Sequence, residues 1–128
     1  MTAAAGPDLA TRLAALNSRW NCRITTRGRK TGKPHTVTIW FLADGVRLFL
    51  GTLSAQRDWV KNVAKNPDAE FQIGDLRVRG RVHTLDAAEQ PRHVTAAFFR
   101  KYWIAWIGSW FGLGPERQFR VDDLEVIA

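Results

Sequence analysis

The chain has a single cysteine, Cys22, among 128 residues. That excludes an internal disulfide and every cysteine-cluster metal site, and a reducing compartment is the matching expectation. The three histidines, His35, His83 and His93, are too scattered for a metal-ligand motif. No G-x-S-x-G elbow supplies a hydrolytic nucleophile, and no G-x-G-x-x-G supplies a dinucleotide fold. No apolar run approaches the roughly 20 residues of a membrane-spanning helix. No basic, then apolar leader marks a secretory signal, so the expected location is cytoplasmic. Acid is scarce as well: 12 Asp and Glu face 19 Lys and Arg, a net charge of +7. This surplus favours an anionic partner, whether nucleic acid, a phosphorylated ligand or an acidic membrane surface. With nucleophiles and metal ligands missing, an enzyme built on this chain would take its chemistry from a bound cofactor.

The length sets one domain, residues 1–128, with 1–7 expected to be flexible. Leu9, Leu13 and Leu16 predict a helix over 8–19. A short strand in "WNCRITT" runs into a basic loop, and "PHTVTIWFL" alternates, with Val37, Ile39 and Phe41 on one face and Thr36, Thr38 and Trp40 on the other. "ADG" turns a hairpin into "VRLFLG". Ser54 is placed to cap a helix that carries Trp59, Val60 and Val63 on one face and stops at Asn66-Pro67. A second hairpin turns at Gly74-Asp75. The pattern is helical from about Asp86 to Phe111, with a doubtful start at Pro91, and a last strand closes the chain. Helices around mostly antiparallel short strands describe an α+β plan, most economically a small barrel.

Four features stand out as candidate sites. The loop "TTRGRKTGKPH" carries Arg27, Arg29, Lys30 and Lys33 around Gly28 and Gly32. Its spacing does not match a nucleotide-triphosphate loop, but glycine-freed backbone among four cations suits a phosphate or carboxylate. The bland alternative is a solvated hairpin loop. The start of the 54–65 helix, with Arg57, is a second place for negative charge. The row Arg77, Arg79, Arg81 reads first as a solvated strand face and otherwise as an extension of the positive field. Finally, "FFRKYWIAWIGSWF" places Phe99, Trp103, Trp106 and Trp110 along one stripe, with Phe98, Tyr102 and Ala105 elsewhere. Core or interface is the bland reading; a pocket wall or a membrane-surface helix are the others.

Three ordered pieces, T-x-G-R-K-[ST]-G at 26–32, W-[FY]-L-x-D-G at 40–45 and W-x-x-N-[LV]-x-x-N-P at 59–67, resemble the flavin/deazaflavin oxidoreductase superfamily, specifically its deazaflavin-dependent nitroreductase branch. The likeness runs from about Arg23 to Val82. It implies a split β-barrel (PNPOx-like, FMN-binding type) with flanking helices, a homodimer, and coenzyme F420, whose phosphate and poly-glutamate tail would answer the basic loop. By this resemblance Arg29, Lys30 and Thr31 hold the anionic end. His35, Thr36, Val37, Thr38, Ile39 and Trp40 run beside the cofactor, with Gly51 and Thr52 on the next strand and Trp59 and Asn62 on the helix. Arg57 joins them on charge alone. Tyr102, Trp103 and Trp106 are positional candidates for the substrate pocket, Tyr102 also as proton donor. Thr38 stands where members often have proline, and the segment from Leu53 to Trp59 is short.

The implied activity is hydride transfer from reduced deazaflavin to a quinone, enone or nitroaromatic. FMN in place of F420 stays open. So does a non-catalytic cofactor or lipid binder with peripheral membrane contact through the tryptophan-rich helix. Nucleic acid ranks last, because the aromatics do not interleave with the cations.

Overall fold

Strict alternation in "CRITTR" and "LRVRGRVHTL" makes strands whose apolar sides face one way. The computed structural model describes residues 7–52, 57–102 and 117–127. Its elements are α1 (Pro7–Leu16), β1 (Cys22–Arg27), β2 (Pro34–Asp44), β3 (Arg47–Thr52), α2 (Asp58–Lys65), β4 (Asp68–Ile73), β5 (Leu76–Leu85), α3 (Arg92–Lys101) and β6 (Arg117–Val126). The six strands pair antiparallel and close into a barrel in the order β1-β2-β3-β6-β5-β4, with β4 returning to β1. This is the expected α+β split barrel with flanking helices.

Ile24, Phe41, Leu48, Leu50, Phe71, Val78, Phe119 and Val121 fill the core. Helix α1 adds Leu9 and Leu13 to it, and α2 adds Trp59, Val60 and Val63. A second cluster lies against the opposite side of β2 and β3, where Leu42 and Phe49 meet Leu85, the α3 residues Val94 and Phe98, and Tyr102 just past the helix end. Alternation along β2 thus divides its residues: Phe41 goes to one cluster, Leu42 to the other.

Several expectations need correction. Helix α1 ends at Leu16 rather than at Arg19, because Asn17 turns its side chain onto β2. Its Nδ2 donates to Ala43 O at 2.8 Å and its Oδ1 accepts from Ala43 N at 2.7 Å. Helix α2 begins at Asp58, with extended Arg57 at its cap position, so Ser54 is not the cap; residues 53–56 lie outside the described set. Residues 86–90 do not open the third helix. Ala87–Glu89 form a 3-10 turn closed by reciprocal Asp86 and Glu89 bonds, and α3 starts only after Pro91. On α3 Val94 and Phe98 are buried, with Tyr102 just past its end, while the stripe of Phe99, Trp103, Trp106 and Trp110 falls on side chains outside those described. Val94, Phe98 and Tyr102 have Trp40, Leu42 and Phe49 to pack on.

The arginine row is not an anion collector. Arg77 meets Glu70 at 3.5 Å, Arg79 meets Glu125 at 2.9 Å and Arg81 meets Asp68 at 3.9 Å. It sits on a strand paired on both sides, so it guards no edge either. Opposite it β6 bulges, with Asp123 at φ 57° and the register slipping between Arg79 and Arg81. Gly80 permits that approach: a Cβ there would stand 2.6 Å from Val121 Cγ1 and 2.9 Å from Asp122 O. Among the described residues, no helix is long and apolar enough to cross a membrane.

Candidate cofactor groove between β2 and α2

Strand β2 is longer than its partner β3. Its register with β3 stops at Trp40–Gly51, whereas its register with β1 runs from Pro34 to Ile39. Over residues 34–39, β1 is therefore its one strand partner among the described residues. Alternate backbone N–H and C=O groups of that stretch face the open side, ready for a flat ligand with polar edges. Val37 belongs by alternation with Ile39 and Phe41, which are buried, yet it is 42% exposed. A β-branched apolar residue uncovered at an inward register position marks the floor of a recess.

The basic loop stands at the far end of this stretch. Gly28 N donates to Lys33 O and Gly32 N to Gly28 O, both at 2.8 Å, and Gly32 takes φ +72° to close the turn. A Cβ on Gly28 would lie 3.0 Å from Thr31 Oγ1 and 3.2 Å from His35 Nε2, so that residue too has reason to be glycine. The loop is fastened to α2 by Asn62, which is buried. Its Oδ1 accepts from Arg29 N at 3.2 Å and from the Arg29 guanidinium at 3.0 Å, and its Nδ2 donates to Thr26 Oγ1 at 3.1 Å. Lys65 adds a bond to Arg29 O at 3.0 Å. Asp58 lies 3.6 Å from Arg29. Lys30, Thr31 and His35 stay exposed at the mouth.

Two connected recesses result. One, about 290 Å³, is bordered by the loop, His35 and Asn62; the other, about 330 Å³, by Val37–Trp40, Gly51 and Arg57. Val37, Asp58 and Trp59 line both, so the loop and Arg57 open onto one groove. The Trp59 ring also packs on Phe119, centroids 5.0 Å apart. Thr36 lines neither recess; its hydroxyl pairs with Thr25 at 2.7 Å. Thr52 ends β3 opposite Arg117, and its side chain is not among those described.

Tyr102 is placed elsewhere. It is 1% exposed; its hydroxyl donates to Trp20 O at 2.6 Å and accepts from Phe41 N at 3.1 Å, and burial pushes its pKa well up. Its ring stacks on Trp40, centroids 5.0 Å apart. Tyr102 is a fastening between α3, β2 and the α1–β1 connection rather than a proton donor in the groove, and it does not line the recesses. Trp103 and Trp106 lie outside the described residues. Cys22 is buried, its thiol pushed up to about 12 by desolvation. Sequence reading missed Thr26 and Asp58 as lining residues. A signal for Thr26 existed: in the buried-exposed alternation of β1 it is a polar residue at an inward position, which calls for a buried partner.

Residues 11–127 match the family model for pyridoxamine 5′-phosphate oxidase. In structure the chain is similar to an F420-H2-dependent reductase, FDR-A, with 20% identity and a TM-score of 0.65, covering 81% of this chain and 95% of the other. It is also similar to a candidate pyridoxamine 5′-phosphate oxidase from Listeria innocua, with 16% identity and a TM-score of 0.62 over 93% and 97% of the two chains. A domain-swapped dimer matches at 20% identity and a TM-score of 0.66, over 81% of each chain. At these identities the structural likenesses establish the split-barrel fold.

Proposed function

We propose, for a chain that belongs to the pyridoxamine 5′-phosphate oxidase family, that the β2–α2 groove binds coenzyme F420 and that the protein is an oxidoreductase acting on a flat electrophile. Quinones, enones and nitroaromatics are the acceptor classes. The observation that carries this reading is the open stretch of β2, which leads from a cation-rich loop to Trp40. A deazaflavin has the matching chemistry: a planar ring with donor and acceptor edges at one end, a phosphate and carboxylates at the other. The residues fit it. Arg29, Lys30, Thr31 and His35 offer charge and donors to the tail, and Arg57 places a second cation at the head of α2.

When bound in reduced form, the cofactor supplies a hydride, two electrons and one proton, to the acceptor. The second proton that a quinone takes up comes from solvent. The chain's own part is positioning and electrostatics. The backbone of 36–38 and the Thr38 hydroxyl hold the polar edge of the ring and meet negative charge developing there. Trp40, Gly51 and Trp59 wall the ring end. Family analogy and the domain-swapped dimer relative support a homodimer. FMN is the second reading, favoured by membership in a family that includes flavin enzymes, since it has a similar ring and a single phosphate.

Lys30→Ala tests the loop. One charge-assisted contact removed at the exposed tip should raise the F420 dissociation constant about tenfold or more, with the unfolding temperature unchanged. Unchanged affinity would remove the loop from the site.

A further inference from the structure

Beside the groove, the barrel carries a polar row of which the cofactor reading uses only Thr38. Gln72, Arg23 and Thr38 stand directly opposite one another on β4, β1 and β2, so their side chains share one face. All three are exposed. The connection from α1 brings Arg19 over the β4–β5 turn, its Nη2 3.2 Å from where a Cβ on Gly74 would stand. These residues and Trp20 border an open pocket of about 450 Å³. Each arginine of the β5 row has an acid beside it; Arg19 and Arg23 have none within ion-pair distance among the described residues. Trp20 is 49% exposed, the most exposed large apolar side chain described. Its ring is nonetheless held, edge-on to Tyr102 at 4.8 Å. Thr38 lines this pocket and the groove alike.

We propose that this pocket is the acceptor end of the site and that the acceptor is a flat ring carrying an anionic substituent. The proposal rests on the groove being the cofactor site. Two unpaired guanidinium groups grip a carboxylate or sulfonate. The free face of Trp20 stacks on the ring. Thr38, the shared residue, is where the ring meets the cofactor end of the groove. A neutral ring would gain only the stacking.

The test compares anthraquinone-2-sulfonate with 2-(hydroxymethyl)anthraquinone, the same ring without charge. Binding to the cofactor-free full chain is followed by tryptophan quenching, and F420 affinity is measured separately. The sulfonate should bind at least tenfold tighter than the neutral probe. Arg23→Gln and Arg19→Gln should each weaken the sulfonate several-fold while leaving the neutral probe and F420 unaffected. Saturating F420 should not displace it, and with reduced F420 the same variants should raise KM for the sulfonate while kcat holds. Equal affinities for the two probes, or arginine variants without effect, overturn the proposal and leave the cofactor reading standing. Displacement by F420 also overturns it, by putting the sulfonate in the groove. Loss of sulfonate binding as protein concentration rises would assign the face to a second copy and overturn it as well. If F420 does not bind while the sulfonate still binds in an arginine-dependent way, the cofactor reading falls and the pocket's role as an acceptor site falls with it.

Discussion

Tyr102 separates a residue's chemistry from its position. The only tyrosine in the chain, it follows a basic pair near the end of a helix, which makes it an attractive proton donor on paper. In place, its hydroxyl bridges Trp20 O and Phe41 N inside a stack with Trp40 and Phe98. Tyr102→Phe leaves the stack and strands the Phe41 N–H, so stability should fall by about 1–3 kcal/mol. Turnover with reduced F420 should change less than twofold. Urea unfolding and steady-state kinetics on the same preparation check this; a hundredfold fall in kcat at unchanged stability would return Tyr102 to the chemistry.

At the scale of elements, the groove depends on how the loop is tied to α2. Asn62 accepts from the backbone N–H and the guanidinium of Arg29 and donates to the hydroxyl of Thr26. In Asn62→Ala these partners stay and their bonds go, which should cost about 1–3 kcal/mol of stability. It should also weaken F420 binding beyond what Lys30→Ala does, because the whole loop loses its anchor. Calorimetric titration beside thermal melts would show it; normal affinity in the destabilised variant would mean that the loop needs no tether. Much at this scale was legible in the residues: both hairpins from Gly45 and Gly74, the α2 face, and its stop at Asn66-Pro67. Helix starts were less so, because extended Arg57 and the Asp86–Glu89 turn follow from tertiary closure rather than from local propensity. The burial of Phe98 and Tyr102 was not legible either, because it depends on Leu42 and Phe49 standing opposite them.

For the molecule as a whole, pH acts through three desolvated groups, the buried Cys22 and Tyr102 and the half-buried Lys101. Desolvation lowers Lys101 from 10.5 to about 8, raises Cys22 from 9.0 to about 12 and pushes Tyr102 above its usual 10.0. Between pH 8 and 9 the unfolded chain keeps a Lys101 proton that the folded protein has released, so stability rises with pH. Above 9 the unfolded Cys22 ionises while the folded thiol does not, which cancels the gain. Above 10 Tyr102 adds a second loss and stability falls. In Lys101→Met the rise between pH 8 and 9 should vanish, as read from unfolding free energies at half-unit steps; superimposable profiles would contradict it. The +7 charge pointed to an anionic partner, and the fold refines that: the β5 arginines are neutralised by neighbouring strands, while the loop and Arg57 open on the groove.

The central claim is that this groove takes a deazaflavin, and the direct measurement is a fluorescence titration of the cofactor-free protein with F420 and, separately, with FMN. Trp40 and Trp59 both line the ring end, so a bound ring must quench them. Micromolar or tighter quenching by F420, with little response to FMN, is the expected result. Tight FMN binding with no response to F420 would contradict the deazaflavin reading, and silence with both would contradict the cofactor groove itself.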